Sequence, residues 1–234
     1  MQLDITKAFT YILDDREWAS KLAISAGIAL ASLVFSIVLV GFSGWALLLG
    51  YLVELIRNLN ANVPTPLPRW DKFSDKLRRG GNVLAALIVY NLPLLLPTCC
   101  YITTSGFWGD NFIGSAIGYL VMCCILPLVL AYNLITWPMF ALAIVRYAEE
   151  DNIGVFFQFG DLFSTVYRHM SDTLQWAVFM VIANIVLGIL FVVPCIGQAA
   201  APALAVPIYG YLASQFANRI EDMPRPKRKR PALR

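Results

Sequence analysis

Apolar runs divide the chain, and the polar positions between them recur at a few fixed places. No charged residue occurs in Leu22–Val53, Asn82–Gly109, Asn111–Val145 or Thr173–Ala217. A spanning helix needs about 20 apolar residues, so each stretch is long enough for at least one crossing. Leu22–Ile56 covers 35 residues. As one helix it would run roughly 52 Å at 1.5 Å per residue, far beyond a hydrocarbon core of about 30 Å. Gly41-Phe-Ser-Gly44 offers a turn inside this run, which predicts helices at about 21–40 and 44–58. Trp45 then sits beside the turn, at the membrane–water boundary where tryptophan concentrates. Thr173–Ala217 is broken in the same way at Pro194-Cys-Ile-Gly197, and the middle pair is separated by Thr103–Asn111. The pattern predicts an all-α polytopic membrane protein of six transmembrane helices. They form three hairpins, at about 21–58, 82–147 and 173–219. The fourth pass is again too long for one straight crossing. Pro127 and Pro138 predict a bend there, because each removes a backbone donor.

Charge orients the hairpins. With the three turns outside, none of the 18 Lys/Arg residues is external, and Asp110 is the one outer charge. Cytoplasmic loops carry the Lys/Arg excess, so both termini are expected in the cytoplasm. A five-pass arrangement with an external N-terminus is the alternative topology. Composition agrees with the class: mean hydropathy is +0.65, with 59% hydrophobic and 14% charged residues. The short alternating segments of a transmembrane barrel are absent. Asp4, Asp14, Asp15 and Glu17 stand in the first twenty residues, which argues against a cleavable leader. Residues 1–221 read as one helical membrane domain and 222–234 as a basic cytoplasmic tail.

One polar phrase is written twice. Asp71–Arg79 and Asp161–His169 both read Asp-x-Phe-Ser-x-x-x-Arg, each just ahead of a long apolar run. Phe159, Leu162, Phe163, Val166, Tyr167 and Met170 share one helical face. Trp70, Phe73 and Leu77 do so more sparsely, as do Ile5, Ala8, Phe9, Ile12 and Leu13 near the start. These spacings predict three amphipathic helices lying in the interface, one ahead of each hairpin. Asp4, Asp71 and Asp161 suit their N-caps. The returns to the cytoplasm carry Arg57-Asn58, Arg146-Tyr147 and Asn218-Arg219, and Gly50–Pro64 matches Gly210–Pro224 at Gly, Tyr, Leu, Asn and Pro without a gap. A unit of interfacial helix, outward pass, turn and inward pass is therefore expected three times. Its interfacial and structural residues are Arg57, Asn58, Trp70, Asp71, Phe73, Arg78, Arg146, Phe159, Asp161, Phe163 and Arg168. Glu54, the deepest carboxylate, is expected to reach the headgroups.

Catalytic chemistry is not written here. His169 is the single histidine, and no zinc motif, Walker loop or nucleophile elbow occurs. No catalytic, cofactor-binding or metal-ligating residue is expected. The five cysteines match no zinc or redox spacing and read as small packing residues. Intramembrane polarity is confined to neutral groups such as Asn91, Asn133, Thr136 and Asn184, which usually bond between helices. An aqueous cavity lined by the last three would instead signal a transport path. Pro224–Arg234 holds six basic residues and no acid. Directly after a membrane helix, such a run suits anionic headgroups rather than nucleic acid.

Gly50–Arg57-Asn58, Pro66–Phe73 and Arg146–Phe163 carry a further signal. With Gly50-Tyr51, Arg57, Pro68, Trp70-Asp71, Tyr147-Ala148 and Phe159-Gly160, the chain up to Asn218 resembles a prokaryotic membrane family catalogued as domain of unknown function 4013. Where that family often has an acid before the Trp-Asp pair, this chain has Arg69. The resemblance implies a multi-pass protein of a prokaryotic cell membrane and no mechanism. The expected role is a non-enzymatic assembly, scaffold or lipid-contacting component. Its expected partners are membrane lipids, a membrane protein or a second copy. A small-molecule or lipid transporter is the alternative.

Overall fold

Long uncharged runs have few ways to satisfy their backbone groups away from water, and helices do so within one segment. The computed structural model describes residues 4–38, 41–108, 112–194 and 196–221, and no strand occurs among them. Eight α-helices follow in order: α1 (Ile5–Thr10), α2 (Trp18–Val34), α3 (Gly41–Asn60), α4 (Phe73–Trp108), α5 (Phe112–Glu150), α6 (Phe159–Arg168), α7 (Met170–Phe191) and α8 (Ile196–Ile220). Stretches within α4, α5 and α7 are each long and apolar enough to cross a membrane. A fourth candidate arises if α1 and α2, bent by 107° from each other, count as one span. The basic tail at 222–234, like Asp110 and Cys195, lies outside the described residues.

The long helices form two shells. Each pair among α3, α5 and α8 is in contact, which makes an inner trio. The other three fill the gaps around it: α2 touches α3 and α8, α4 touches α3 and α5, and α7 touches α8 and α5. Burial follows this division. The inner helices hold most of the core, including Tyr51, Leu55 and Ile56 of α3, Leu142–Ala148 of α5 apart from Arg146, and Ile208, Leu212 and Phe216 of α8. Glycine permits the closest crossing. A methyl group added at Gly80 would stand 1.7 Å from the Ala46 carbonyl oxygen, and one at Gly50 would stand 1.9 Å from that of Lys76. Small residues of this kind let helix backbones approach.

The break in the first apolar run differs from expectation. α2 ends at Val34, a short 3-10 turn covers Phe35–Val38, and Gly41 already opens α3. Gly41 and Gly44 serve packing, not turning. A Cβ at Gly41 would meet the Ser32 carbonyl oxygen at 2.5 Å, and one at Gly44 would meet the Ser32 Oγ. The break before α8 falls at Val192–Pro194, close to the expected position, although Gly197 is helical.

The amphipathic segments also divide. α1 and α6 are separate short helices, but Phe73–Leu77 is the first turn of the 36-residue α4. The expected amphipathic helix ahead of the second hairpin is therefore not a separate element. Gly80 and Gly81 lie inside α4, where Gly80 seats that helix on α3. Asp4 caps α1 by accepting the Lys7 amide at 3.1 Å. Asp71 and Asp161 are not caps. Asp71 stands two residues ahead of α4, and Asp161 lies within the first turn of α6, whose N-cap position is Gln158. Both carboxylates answer cations, which draws them away from the free amides.

Candidate functional site

Every ion pair among the described residues belongs to one connected region. It is built from the last turns of α3, α5 and α8, the first turns of α4 and α7, α6, and the chain around α1. At its centre the inner trio is tied together. Arg57 Nε donates to the Ala148 carbonyl at 2.6 Å. Asn60 Nδ2 donates to Glu149 at 2.8 Å, while its Oδ1 accepts from Ser214 Oγ at 2.6 Å and Asn218 Nδ2 at 3.2 Å. Arg146 donates to Glu221 from Nε at 2.7 Å and from a second guanidinium nitrogen, and to Asp161 from Nη1 at 2.6 Å. These are charge-assisted bonds, roughly twice as strong as neutral ones. They fix the ends of three helices relative to one another.

Around this centre, each inner helix grips a segment just ahead of an outer helix. Tyr51 of α3 stacks on Trp70 at 4.8 Å, and Glu54 pairs with Lys76 Nζ at 2.7 Å. Tyr147 of α5 packs on Phe156 at 5.2 Å, two residues ahead of the α6 N-cap. Tyr211 of α8 stacks on Tyr11 at 4.7 Å, and Gln215 accepts the Asp4 amide at 3.1 Å. The grips run α3 to α4, α5 to α6, and α8 back to α1, so they close a ring.

Lys76 is the least expected member. It is 2% exposed, yet it carries a charge that Glu54 meets directly and Asp71 at 3.5 Å. Its ammonium also donates to the Asp71 carbonyl at 2.9 Å. Glu54 thus turns to a buried lysine instead of the headgroups. A second internal pair, Asp15–Lys21 at 2.7 Å, ties the chain after α1 to the first turn of α2. Lys21 also donates to the Leu67 carbonyl at 3.0 Å, and Trp70 Nε1 donates to the Lys21 carbonyl at 3.1 Å. Burial raises the Asp15 carboxyl pKa, but the Lys21 ammonium and the Glu17 amide, with the charges of Lys21 and Arg69, outweigh it and leave the carboxyl below its ordinary value. Nothing in the local pattern around Lys76 separates it from its exposed neighbours Lys72 and Arg78.

The expected residues are distributed as follows. Asn58 holds the proline-rich strap after α3 by donating to the Pro66 carbonyl at 3.0 Å. Arg78 faces Asp151 at 3.6 Å. Phe73, Phe159, Phe163 and Arg168 are exposed, and Phe159 packs on Tyr90 at 5.2 Å. Asn91, Asn133 and Asn184 each donate to the carbonyl four residues back in their own helix. The three polar groups named for a transport path are not brought to one place. Asn133 and Asn184 border a groove of about 380 Å³ between α5, α7 and α8, with Leu130, Leu134, Trp137 and Met180, while Asn133 also shares a small cleft with Asn91 and Thr136; Asn184 and Thr136 do not meet.

Two cavities open at the ion-paired end, one on each side of the strap. The first, of about 680 Å³, is bordered by Lys7, Tyr11, Asn62, Gln215 and Asn218. The second, of about 400 Å³, is bordered by charged groups of both signs. Among the described residues no three His, Cys, Asp or Glu side chains gather as a metal site.

No curated protein and no solved structure matches the chain. Residues 33–196, however, match the model of the family described as a protein of unknown function, DUF4013, and the chain belongs to that family.

Proposed function

We propose that the chain is a six-pass protein of the prokaryotic cell membrane, made of three drifted copies of one helical unit, with its ion-paired end in the cytoplasm. The observation that carries this reading is the separation of polarity along the helices. All ion pairs among the described residues lie in one region, while Leu95, Leu96, Leu128, Val181, Ile185 and Ile189 stay exposed elsewhere. Exposed apolar surface on this scale marks contact with lipid or another apolar partner. α3 and α8 are the least apolar of the proposed spans, and they are the helices that other helices shield, so they need little lipid compatibility. The closed ring of grips supports the threefold repeat. α1 and α6 fit interfacial placement: α6 buries Leu162 and Val166 yet keeps Phe159, Phe163 and Tyr167 exposed on a helix that also carries Asp161 and Arg168. The basic segment at 222–234 would meet anionic headgroups at about 1 kcal/mol of salt-sensitive attraction per cation.

The role this arrangement serves best is that of a non-enzymatic assembly, scaffold or lipid-contacting component. Its polar groups are engaged in holding helix ends together. Single cysteines in a background without native Cys test the topology. Those at Ser43, Ser105 and Gln198 should react with an impermeant reagent outside intact cells, and those at Ser20, Thr65, Glu150 and Ser164 should not. Outside labelling at Ser20 would establish five passes and end the six-pass reading. Affinity purification in mild detergent should then bring down a stoichiometric membrane protein, a second copy or a lipid. A transporter for apolar solutes is the second reading, favoured by the groove that Asn133, Asn184 and Tyr209 border.

A further inference from the structure

The charged cavity beside the strap has a composition that the ring of grips does not explain. Its wall includes Arg16, Glu17, Lys21, Glu54, Arg69 and Asp71. Two cations and two carboxylates of this neighbourhood are already matched, as Lys21 with Asp15 and Lys76 with Glu54. Arg16, Glu17 and Arg69 have no ion-pair partner among the described residues, and all three are exposed. The Asp71 side chain is 59% exposed, and its nearest cation is 3.5 Å away. With Asp15 on the wall and Lys76 buried behind Glu54 and Asp71, the neighbourhood holds four cations and four carboxylates. A lone anion or a lone cation would meet as much repulsion as attraction there. A guest carrying both signs would meet a partner for each.

Position narrows the chemistry. Trp18 opens α2 directly after Glu17, and Phe73 opens α4 two residues after Asp71; both are exposed. Trp concentrates at headgroup level, so on the six-pass reading Trp18 sets the cavity mouth beside the phospholipid headgroups. Its volume of about 400 Å³ falls within the range of roughly 300–1,000 Å³ usual for small-ligand sites. A buried polar group is also uncommitted nearby. The Tyr51 hydroxyl has no hydrogen-bond partner among the described residues and lies within the field of Asp15 and Glu54.

We propose that this cavity binds a phosphate–ammonium zwitterion, with the phosphate on Arg16 and Arg69 and the primary ammonium on Glu17 and Asp71. An ethanolamine phospholipid headgroup and free phosphoethanolamine share this chemistry. The lipid source rests on the placement of this end at the membrane surface; the ion recognition does not. Guanidinium forks suit phosphate oxygens, and a primary ammonium donates three hydrogen bonds to carboxylates. A choline headgroup has no N–H to offer.

The test uses the full chain, purified. In nanodiscs holding equal ethanolamine, choline and glycerol phospholipids, native mass spectrometry should find the ethanolamine lipid retained at least about tenfold over either rival, or roughly 1.4 kcal/mol. In detergent, phosphoethanolamine titrated by calorimetry should bind, and choline phosphate should not. Arg16→Gln with Arg69→Gln should remove binding in both formats. Glu17→Gln should erase the preference for ethanolamine over choline while some phosphate-dependent binding remains. All three positions are exposed, and unchanged melting of each variant confirms that the fold is intact. Phosphoethanolamine binding without lipid preference supports the same site with a free phosphoester as its guest. Equal retention of all three lipids together with no phosphoethanolamine binding overturns the proposal, as does binding indifferent to the arginine variants. The detergent arm needs no membrane orientation, so its failure leaves the topology standing, and a failed topology leaves the detergent arm readable.

Discussion

Two halves of α5 are both apolar but meet different surroundings. Along Met122–Trp137, Leu128 is 69% exposed and Leu130, Leu134 and Trp137 are exposed as well; along Pro138–Ala148, Leu142, Ala143, Val145 and Tyr147 are completely enclosed. No helix break separates them. The first half meets only its immediate neighbours and, on the six-pass reading, lipid. The second is surrounded by α3, α4, α8 and the chain around α6. Hydropathy reports where a residue can stand without cost, so it reads both halves alike. What separates them is the ring of polar contacts, which draws helix ends together and builds a protein interior at one end only.

Several substitutions can break this contrast. The largest effect should come from Glu54→Ala, which takes the close carboxylate from the buried Lys76 ammonium and leaves it only Asp71. Removing one partner of a buried pair costs about 3–5 kcal/mol, and denaturation in detergent should show it. Glu54→Leu combined with Lys76→Met should recover most of the loss. Leu142→Ala should cost about 2–5 kcal/mol, against about 0.5 kcal/mol or less for Leu128→Ala. Equal costs would mean that both halves of α5 are enclosed, for instance by a second copy. Next come adjacent glycines. Gly80→Ala forces α4 away from the Ala46 carbonyl and should cost about 1–3 kcal/mol or more. Gly81→Ala meets nothing within 4 Å and should be neutral or stabilising by up to about 1 kcal/mol, through helix propensity.

The smallest effect is pH-dependent. The Asp15 carboxyl has a folded pKa below its unfolded value. Its contribution is therefore complete above the unfolded value of about 3.9 and is lost as pH falls through the lowered folded value. Asp15→Asn should flatten the acid limb of the stability curve below about pH 4. An unchanged acid limb would show that the Asp15–Lys21 pair contributes nothing to it.

Much of this was legible in the residues. Uncharged runs gave the helical class, the placement of Lys and Arg marked one end as polar, and Asp4 capped the helix it precedes. Arg57, Asn58, Trp70 and Arg146, which the sequence marks as interfacial, form hydrogen bonds near the helix ends. The failures share a cause. An aspartate beside a helix start looks the same whether it caps amides or meets a cation: Asp161 meets Arg146 from fifteen residues before it, and Asp71 meets Lys76, which looks as solvated as its neighbours. Asn60 bonds to Glu149, Ser214 and Asn218 across 89, 154 and 158 positions, a separation no local pattern records. Glycine in a turn and glycine at a close crossing are the same letter, so Gly41 reads as a turn in the sequence. Glu54 reads as a headgroup contact because its partner belongs to a charged run that looks wholly solvated.

The closure of α8 on α1 sets an order of events during synthesis. Tyr11 donates its hydroxyl to the Pro207 carbonyl at 2.8 Å, across 196 positions, and the Asp4 amide reaches Gln215 across 211. α1 is made well before α8 and must therefore wait for it before it can dock. Until then the α1 face that α8 covers stays open, and a ribosome stalled ahead of Pro207 would leave that face to proteases and chaperones.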